Sequence, residues 1–270
     1  MILRLLKLEY LKFRYNRVIQ LLLLLFMVFM PTTILVLKNF QDLPPPLPSV
    51  DSVFEFPLIW DYQGYSGSWL VFFCIGFIML YTITSEINNK TMRQNIITGI
   101  TKKEYFVAKG IILLVLSIFS TLLYSISTLI IGLTHTESPD FLLIADNNWA
   151  PLRYFLLCLG YTSFALMIGF LIRRGTLALL FYFSYIMMLE PILRWAVHFN
   201  ITKDRGMLFW PMNVFEDLMP LPLFKLSESA IKTNTDINLL LSYWEAVTVS
   251  PIYILAFVAI AYYNFVKKDL

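Results

Sequence analysis

The chain has 270 residues, of which 58% are apolar, 14% charged and 16% aromatic, with a net charge of +3 and a mean hydropathy of +0.69. A soluble globular domain carries about 45–50% apolar and about 25% charged residues, so water is the wrong solvent for this composition. Disorder, a coiled coil, a collagen-like repeat and a nucleic-acid-binding domain are excluded on the same grounds, and an all-α polytopic membrane protein is the expectation.

In chain order, residues 1–17 alternate leucines and tyrosines with Arg4, Lys7, Lys12 and Arg14. This is the pattern of an amphipathic helix lying along an anionic inner leaflet, or of ordinary topology-setting charge. A bilayer core about 30 Å thick takes about 20 apolar residues at 1.5 Å per residue. Six stretches meet that length, 18–37, 66–84, 110–133, 152–172, 176–197 and 247–266, within a single transmembrane domain over 18–266. The first is expected to be an uncleaved span, since it runs through Pro31-Thr32-Thr33 without a small-residue cleavage site.

Between the first two spans, Pro44-Pro45-Pro46-Leu47-Pro48 predicts extended polyproline helix, and Phe54, Phe56, Trp60 and Tyr62 suit the headgroup boundary. Residues 85–109 predict an elbow: an amphipathic helix over Ser85 to Ile97 with Ile87, Met92 and Ile96 on one face, and Gly99 placed to end it. Thr101-Lys102-Lys103-Glu104 then reads as a capping box opening the third span. A helix, a break and a freshly capped helix make a rigid joint, which passes on displacement that a floppy loop would lose. Arg173-Arg174-Gly175 predicts a tight turn anchoring spans four and five.

Residues 198–246 predict an external cap. Its apolar pieces, Leu208 to Met212 and Leu218 to Phe224, are too short to span and are broken by proline, so they read as interfacial or re-entrant. The sequon Asn200-Ile201-Thr202 matters only in a glycosylating secretory pathway. The ending Lys267-Lys268-Asp269-Leu270 reads as a basic inner tail.

Six spans put both termini on one side. If that side is cytoplasmic, the inner segments hold 14 of the 21 basic residues and only 4 of the 18 acids, Glu9, Glu86, Glu104 and Asp269. The positive-inside rule therefore fixes the expected orientation, with the 85–109 elbow in the cytoplasm.

Ionisable groups at membrane depth are expensive and mark function, and the sequence offers essentially one, Glu190. Pro191 follows it and Arg194 stands one turn on, which makes an i to i+4 ion pair available, either gating a pathway or simply neutralised near the surface. His135 and His198 fall at span ends, and Cys74 and Cys158 sit in apolar runs without metal-ligand spacing, so no catalytic residue, metal site or disulfide framework is expected. No glycine is followed by lysine, so a phosphate-binding loop is missing and nucleotide energy is expected from another polypeptide.

Six spans with both ends inside, an amphipathic start, the elbow between spans two and three and a large external element between spans five and six resemble the membrane subunits of ATP-binding-cassette exporters of the ABC-2 permease type. The most specific part is Glu86, then Thr91 through Tyr105, then Lys109. This stretch is similar to that family's Glu, Gly-Thr, leucine-rich turn, Ser-Arg-x-Glu and Lys signature, although Thr91 lacks the preceding glycine and Lys102-Lys103 stand where an arginine is common. The resemblance implies that the elbow is a coupling helix docking on a separate ATPase that carries the ATP and magnesium. It also implies a second permease subunit, identical or not, and a bacterial cytoplasmic membrane. On it, Glu86, Arg93, Gly99, Thr101, Lys102, Lys103 and Glu104 are the expected docking or bracing residues. A non-transporting scaffold or sensor gripping a cytoplasmic partner, and an ion-coupled transporter, are the alternatives. The second lacks the repeats and midplane charges it needs.

Overall fold

The computed structural model describes residues 2–39, 49–202, 205–222 and 240–267, in which every regular element is helical. The expectations for Pro44 to Pro48, for Leu223-Phe224, for Lys268 to Leu270 and for the side chain of Arg4 lie outside the described residues. Five helical stretches are long and apolar enough to cross a membrane, Leu58–Asn88, Lys102–His135, Phe141–Leu171, Gly175–His198 and Tyr243–Lys267, and a bent pair at the start makes a sixth if counted as one span. The chain is a polytopic all-α membrane protein.

The bent pair is α1 (Ile2–Tyr15) and α2 (Arg17–Thr32), which meet at 79°. Asn16 makes the corner: its Oδ1 accepts from the Val18 and Ile19 amides at 3.0 and 3.3 Å, so the new helix starts with its first donors satisfied. Sixteen residues give α2 a length of about 24 Å at 1.5 Å per residue, short of a bilayer core. A tighter 3₁₀ run, Ile34–Asn39, follows directly and adds about 12 Å at 2.0 Å per residue.

The other spans are α3 (Leu58–Asn88), α5 (Lys102–His135), α6 (Ala150–Leu171), α7 (Gly175–His198) and α9 (Tyr243–Lys267), with a short helix α4 (Thr91–Ile97) between α3 and α5. Hydropathy marks only the apolar part of each helix, so α3 and α5 run several residues beyond the expected spans, their polar ends held by caps and ion pairs. The central member is α6, which packs against α3, α5 and α9. Gly169 lets α3 approach, since a methyl group there would crowd Ile83, and Gly160 lies under the Phe215 ring, where a methyl group would overlap it.

Lipid gives no hydrophobic drive between helices, so close packing and internal hydrogen bonds hold the bundle. Serines and threonines of α5 survive by donating to their own helix: Ser117 to the Leu113 carbonyl at 2.9 Å, Ser120 to Leu116 at 2.8 Å and Thr128 to Tyr124 at 2.8 Å. A wide π-helical turn at Val71–Gly76 of α3 leaves the Phe72 carbonyl available, and the Tyr182 hydroxyl of α7 donates to it at 3.2 Å. Gly76, without a side chain, admits that hydroxyl.

Phe54, Phe56, Trp60 and Tyr62, which suited the headgroup boundary by sequence, are buried within the protein. Phe56 sits over Gly132 of α5, and the Trp60 indole donates to the Ile144 carbonyl at 3.3 Å. Tyr124 donates to the Trp60 carbonyl at 2.7 Å. The aromatics seal the end of the bundle where the chain folds over it, because burial between helices satisfies both ring area and indole N–H.

Candidate functional site: the elbow and its ionic brace

The two ends of the bundle are unlike, and the elbow end carries most of the expected site residues. The sequence suggested a single helix over Ser85 to Ile97, but the structure breaks it. The first helix, α3, ends at Asn88, Lys90 takes the left-handed conformation at φ 59°, and α4 starts at Thr91. Gly99 at φ 102° then turns the chain, with the Ile100 amide donating to the Asn95 carbonyl at 3.1 Å. A left-handed backbone is strained for a residue with a Cβ and natural for glycine. Thr101 and Glu104 form the reciprocal capping box, with Glu104 N–H donating to Thr101 Oγ1 at 3.2 Å and Thr101 N–H donating to Glu104 Oε2 at 3.0 Å.

The residues expected to act together separate into two groups. Arg93, Gly99, Thr101 and Lys103 are exposed, with Lys102 and Glu104 partly so. Ile97 joins them at 84% exposure, one turn from Arg93, while Met92 points inward and is buried. The outward face of α4 is thus a basic and aliphatic patch on a helix anchored from beneath.

Glu86 is not on that face. It is buried, and its carboxylate closes an ionic ring that the sequence did not reveal. Lys12 Nζ donates to Glu9 Oε1 at 2.7 Å and to Glu86 Oε1 at 2.9 Å, and Lys109 Nζ donates to Glu9 Oε2 at 2.9 Å and also to Glu86 Oε1. The Tyr105 hydroxyl donates to Glu86 Oε2 at 2.7 Å. Two cations and two anions cancel, which is the condition for keeping Lys109 at 0% exposure. The ring joins α1, α3 and α5, and the Thr91 hydroxyl adds a 3.3 Å bond to the Glu86 carbonyl, so α4 hangs from a fixed base. Glu9 as the lone acid of a basic segment, three residues from Lys12, was the available signal. Its partners at positions 86 and 109 are a tertiary fact.

At the opposite end, the pair expected of Glu190 and Arg194 does not form an ion pair. Glu190 Oε1 instead accepts from the Met212 and Asn213 amides at 2.7 and 3.0 Å, and Arg194 donates to Asn213 Oδ1. The acceptor helix, α8 (Pro211–Glu216), begins at a proline after Trp210, which supplies no side-chain cap. A carboxylate from α7 therefore caps it from a distance, the favourable place for negative charge. Glu190→Ala is expected to destabilise the fold by about 1–2 kcal/mol and to speed amide exchange at Met212 and Asn213. Unchanged exchange at those two amides would count against the cap.

A second buried charge also escaped the sequence reading. Arg153 of α6 is 1% exposed. It donates to Asp61 Oδ1 at 3.1 Å, Asn147 Oδ1 at 2.6 Å and the Leu218 carbonyl at 3.2 Å, with its guanidinium 3.7 Å above the Tyr243 ring. Tyr243 donates in turn to Asp61 at 3.2 Å. Arg153 stood at the margin of an apolar window and Asp61 before one, so neither registered as a charge at depth.

Among the described residues no group of His, Cys, Asp and Glu is arranged to hold a metal ion. No curated protein matches the chain. A family model described as an ABC-2 family transporter protein matches residues 5–189, a stretch that includes most of α1, the elbow and every residue of the ionic ring, and the chain belongs to that family.

Proposed function

We propose that this chain is the permease subunit of an ATP-driven exporter, energised by a separate ATPase that docks on the exposed face of α4. The observation that carries the reading is the union of a rigid base with an exposed basic and aliphatic patch. Lys12, Lys109, Glu9 and Glu86 fix the roots of three helices, while Arg93 and Ile97 face outward from α4, the piece suspended between them, and Lys103 is exposed on the first turn of α5. A partner pushing on α4 would move α3 and α5 together instead of bending a loop. Basic residues concentrated at this end support a cytoplasmic orientation, where the ATPase would be. In the proposed assembly two such membrane subunits pair with two ATPases, and ATP and magnesium are held by the partners.

The test is charge reversal on the patch. Arg93→Glu with Lys103→Glu is expected to lower both transport and substrate-stimulated ATP hydrolysis of the purified complex at least tenfold, about 1.4 kcal/mol or more of lost coupling, while the subunit stays folded. Transport and ATPase stimulation left intact in that variant, or a purified complex without any ATPase of about 25–35 kDa, the size of one ordinary domain or two, would overturn the reading.

A further inference from the structure

Away from the elbow, a cavity of about 370 Å³ opens between α3, α6 and α7 and beneath α8. Its volume lies within the range of about 300–1,000 Å³ of small-molecule sites. Trp69, Phe72, Tyr161 and Ile186 wall it, and Trp69 and Met187, at its rim, are exposed on the sides of spans that lipid would cover. Its polar side carries Arg194, Glu216 and Asp217.

The charges there do not balance. Among the described residues that line it, Arg194 is the single cation; it faces the carboxylates of Glu190 and Glu216, and Asp217 lies against Glu216 as well. Glu190 is committed to the α8 amides, and Asp217 accepts from Asn213 Nδ2 at 2.9 Å and from the Leu241 amide at 3.0 Å. The Glu216 carboxylate lines the cavity and accepts no hydrogen bond among the described residues. A half-buried carboxylate with no donor among the described residues, walled by aromatic rings that attract cations, calls for a positive partner and not a negative one.

We propose that this cavity binds an amphiphilic cation arriving sideways from the lipid phase, its charged head against Glu216 and its apolar body against Trp69, Phe72 and Ile186. The identification of such a ligand as cargo rests on the exporter reading; the binding itself does not. Burial pushes Glu216 up to about 7, with Arg194 opposing and Glu190 and Asp217 adding to the rise. Tyr161 of α6 also faces it. The carboxylate is charged above that pH and neutral below, so cation affinity should grow with pH.

The experiment uses the full chain in lipid nanodiscs without any ATPase, with tetraphenylphosphonium as probe, its isosteric anion tetraphenylborate as control, and empty discs as background. Saturable binding of the cation is expected, about tenfold tighter at pH 8 than at pH 6, as a group titrating near 7 requires. Glu216→Gln should weaken it at least tenfold and abolish the pH dependence, and Met187→Trp at the rim should weaken it without altering that dependence. Equal or tighter saturable binding of tetraphenylborate would overturn the proposal, as would cation binding that ignores both substitutions in folded protein, or no saturable cation binding at all. If binding behaves as expected while charge reversal at Arg93 and Lys103 leaves transport intact, the exporter reading fails and the site stands.

Discussion

Lys109→Met is expected to destabilise the protein by about 3–5 kcal/mol, the usual cost of removing one partner from a buried ion pair. The substitution leaves Glu9 and Glu86 facing each other with only Lys12, whose side chain is 33% exposed, to offset them. The loss should appear as a lower midpoint in reversible unfolding from mixed micelles and as faster amide exchange across residues 91–97, because α4 loses its base. Neutralising the orphaned acid should recover much of it: Lys109→Met combined with Glu86→Gln is expected to be more stable than Lys109→Met alone. If the double variant is as unstable as the sum of the two singles, the ring is not an energetic unit and the brace argument fails.

Arg153→Met is expected to cost a similar amount, about 3–5 kcal/mol, at the other end of the bundle. It removes the donors to Asp61, Asn147 and the Leu218 carbonyl together, and strips the Tyr243 ring of its cation. Asp61 keeps the Tyr243 hydroxyl and the Asn147 amide, at 3.2 and 3.1 Å, but loses the Arg153 guanidinium. Asp61→Asn in the same chain should return part of the loss. The Arg153 and Lys109 clusters share no residue, so Lys109→Met and Arg153→Met should add to within about 0.5 kcal/mol. A large departure from that sum, measured by the same unfolding, would show that the two ends communicate through the bundle.

What was readable in the sequence follows from the range of the interaction that decides it. Apolar run length is local, so the spans were visible from composition, as was the Thr101–Glu104 box, whose whole chemistry lies within four residues. The break at Lys90 was not, because nothing in Asn89-Lys90-Thr91 demands a left-handed backbone until α3 and α4 are both packed. Glu190 stood out in the sequence with Arg194 as its available partner, whereas its carboxylate accepts from the α8 amides. The neighbour one turn away was visible, while the α8 amides, 22 and 23 residues on, were not. Glu9 was counted only as a charge that sets orientation, Lys12 as that or as part of an amphipathic start, and Lys109 as an inner charge that matched the end of the family signature. Their second role depends on the 79° corner at Asn16, which swings α1 across the roots of α3 and α5.

That corner has a mechanical consequence. The two helices α1 and α2 form a crank with Asn16 as its pivot, and Glu9 clips the crank to α5 through Lys109. Were α1 to lie along the inner leaflet, as its amphipathic sequence suggests, any tilt of α5 would swing the arm through the lipid headgroups; under the proposed function a stroke delivered from below would then be felt as drag in the plane of the bilayer, and the stiffness of the surrounding leaflet would become part of the transport cycle's resistance.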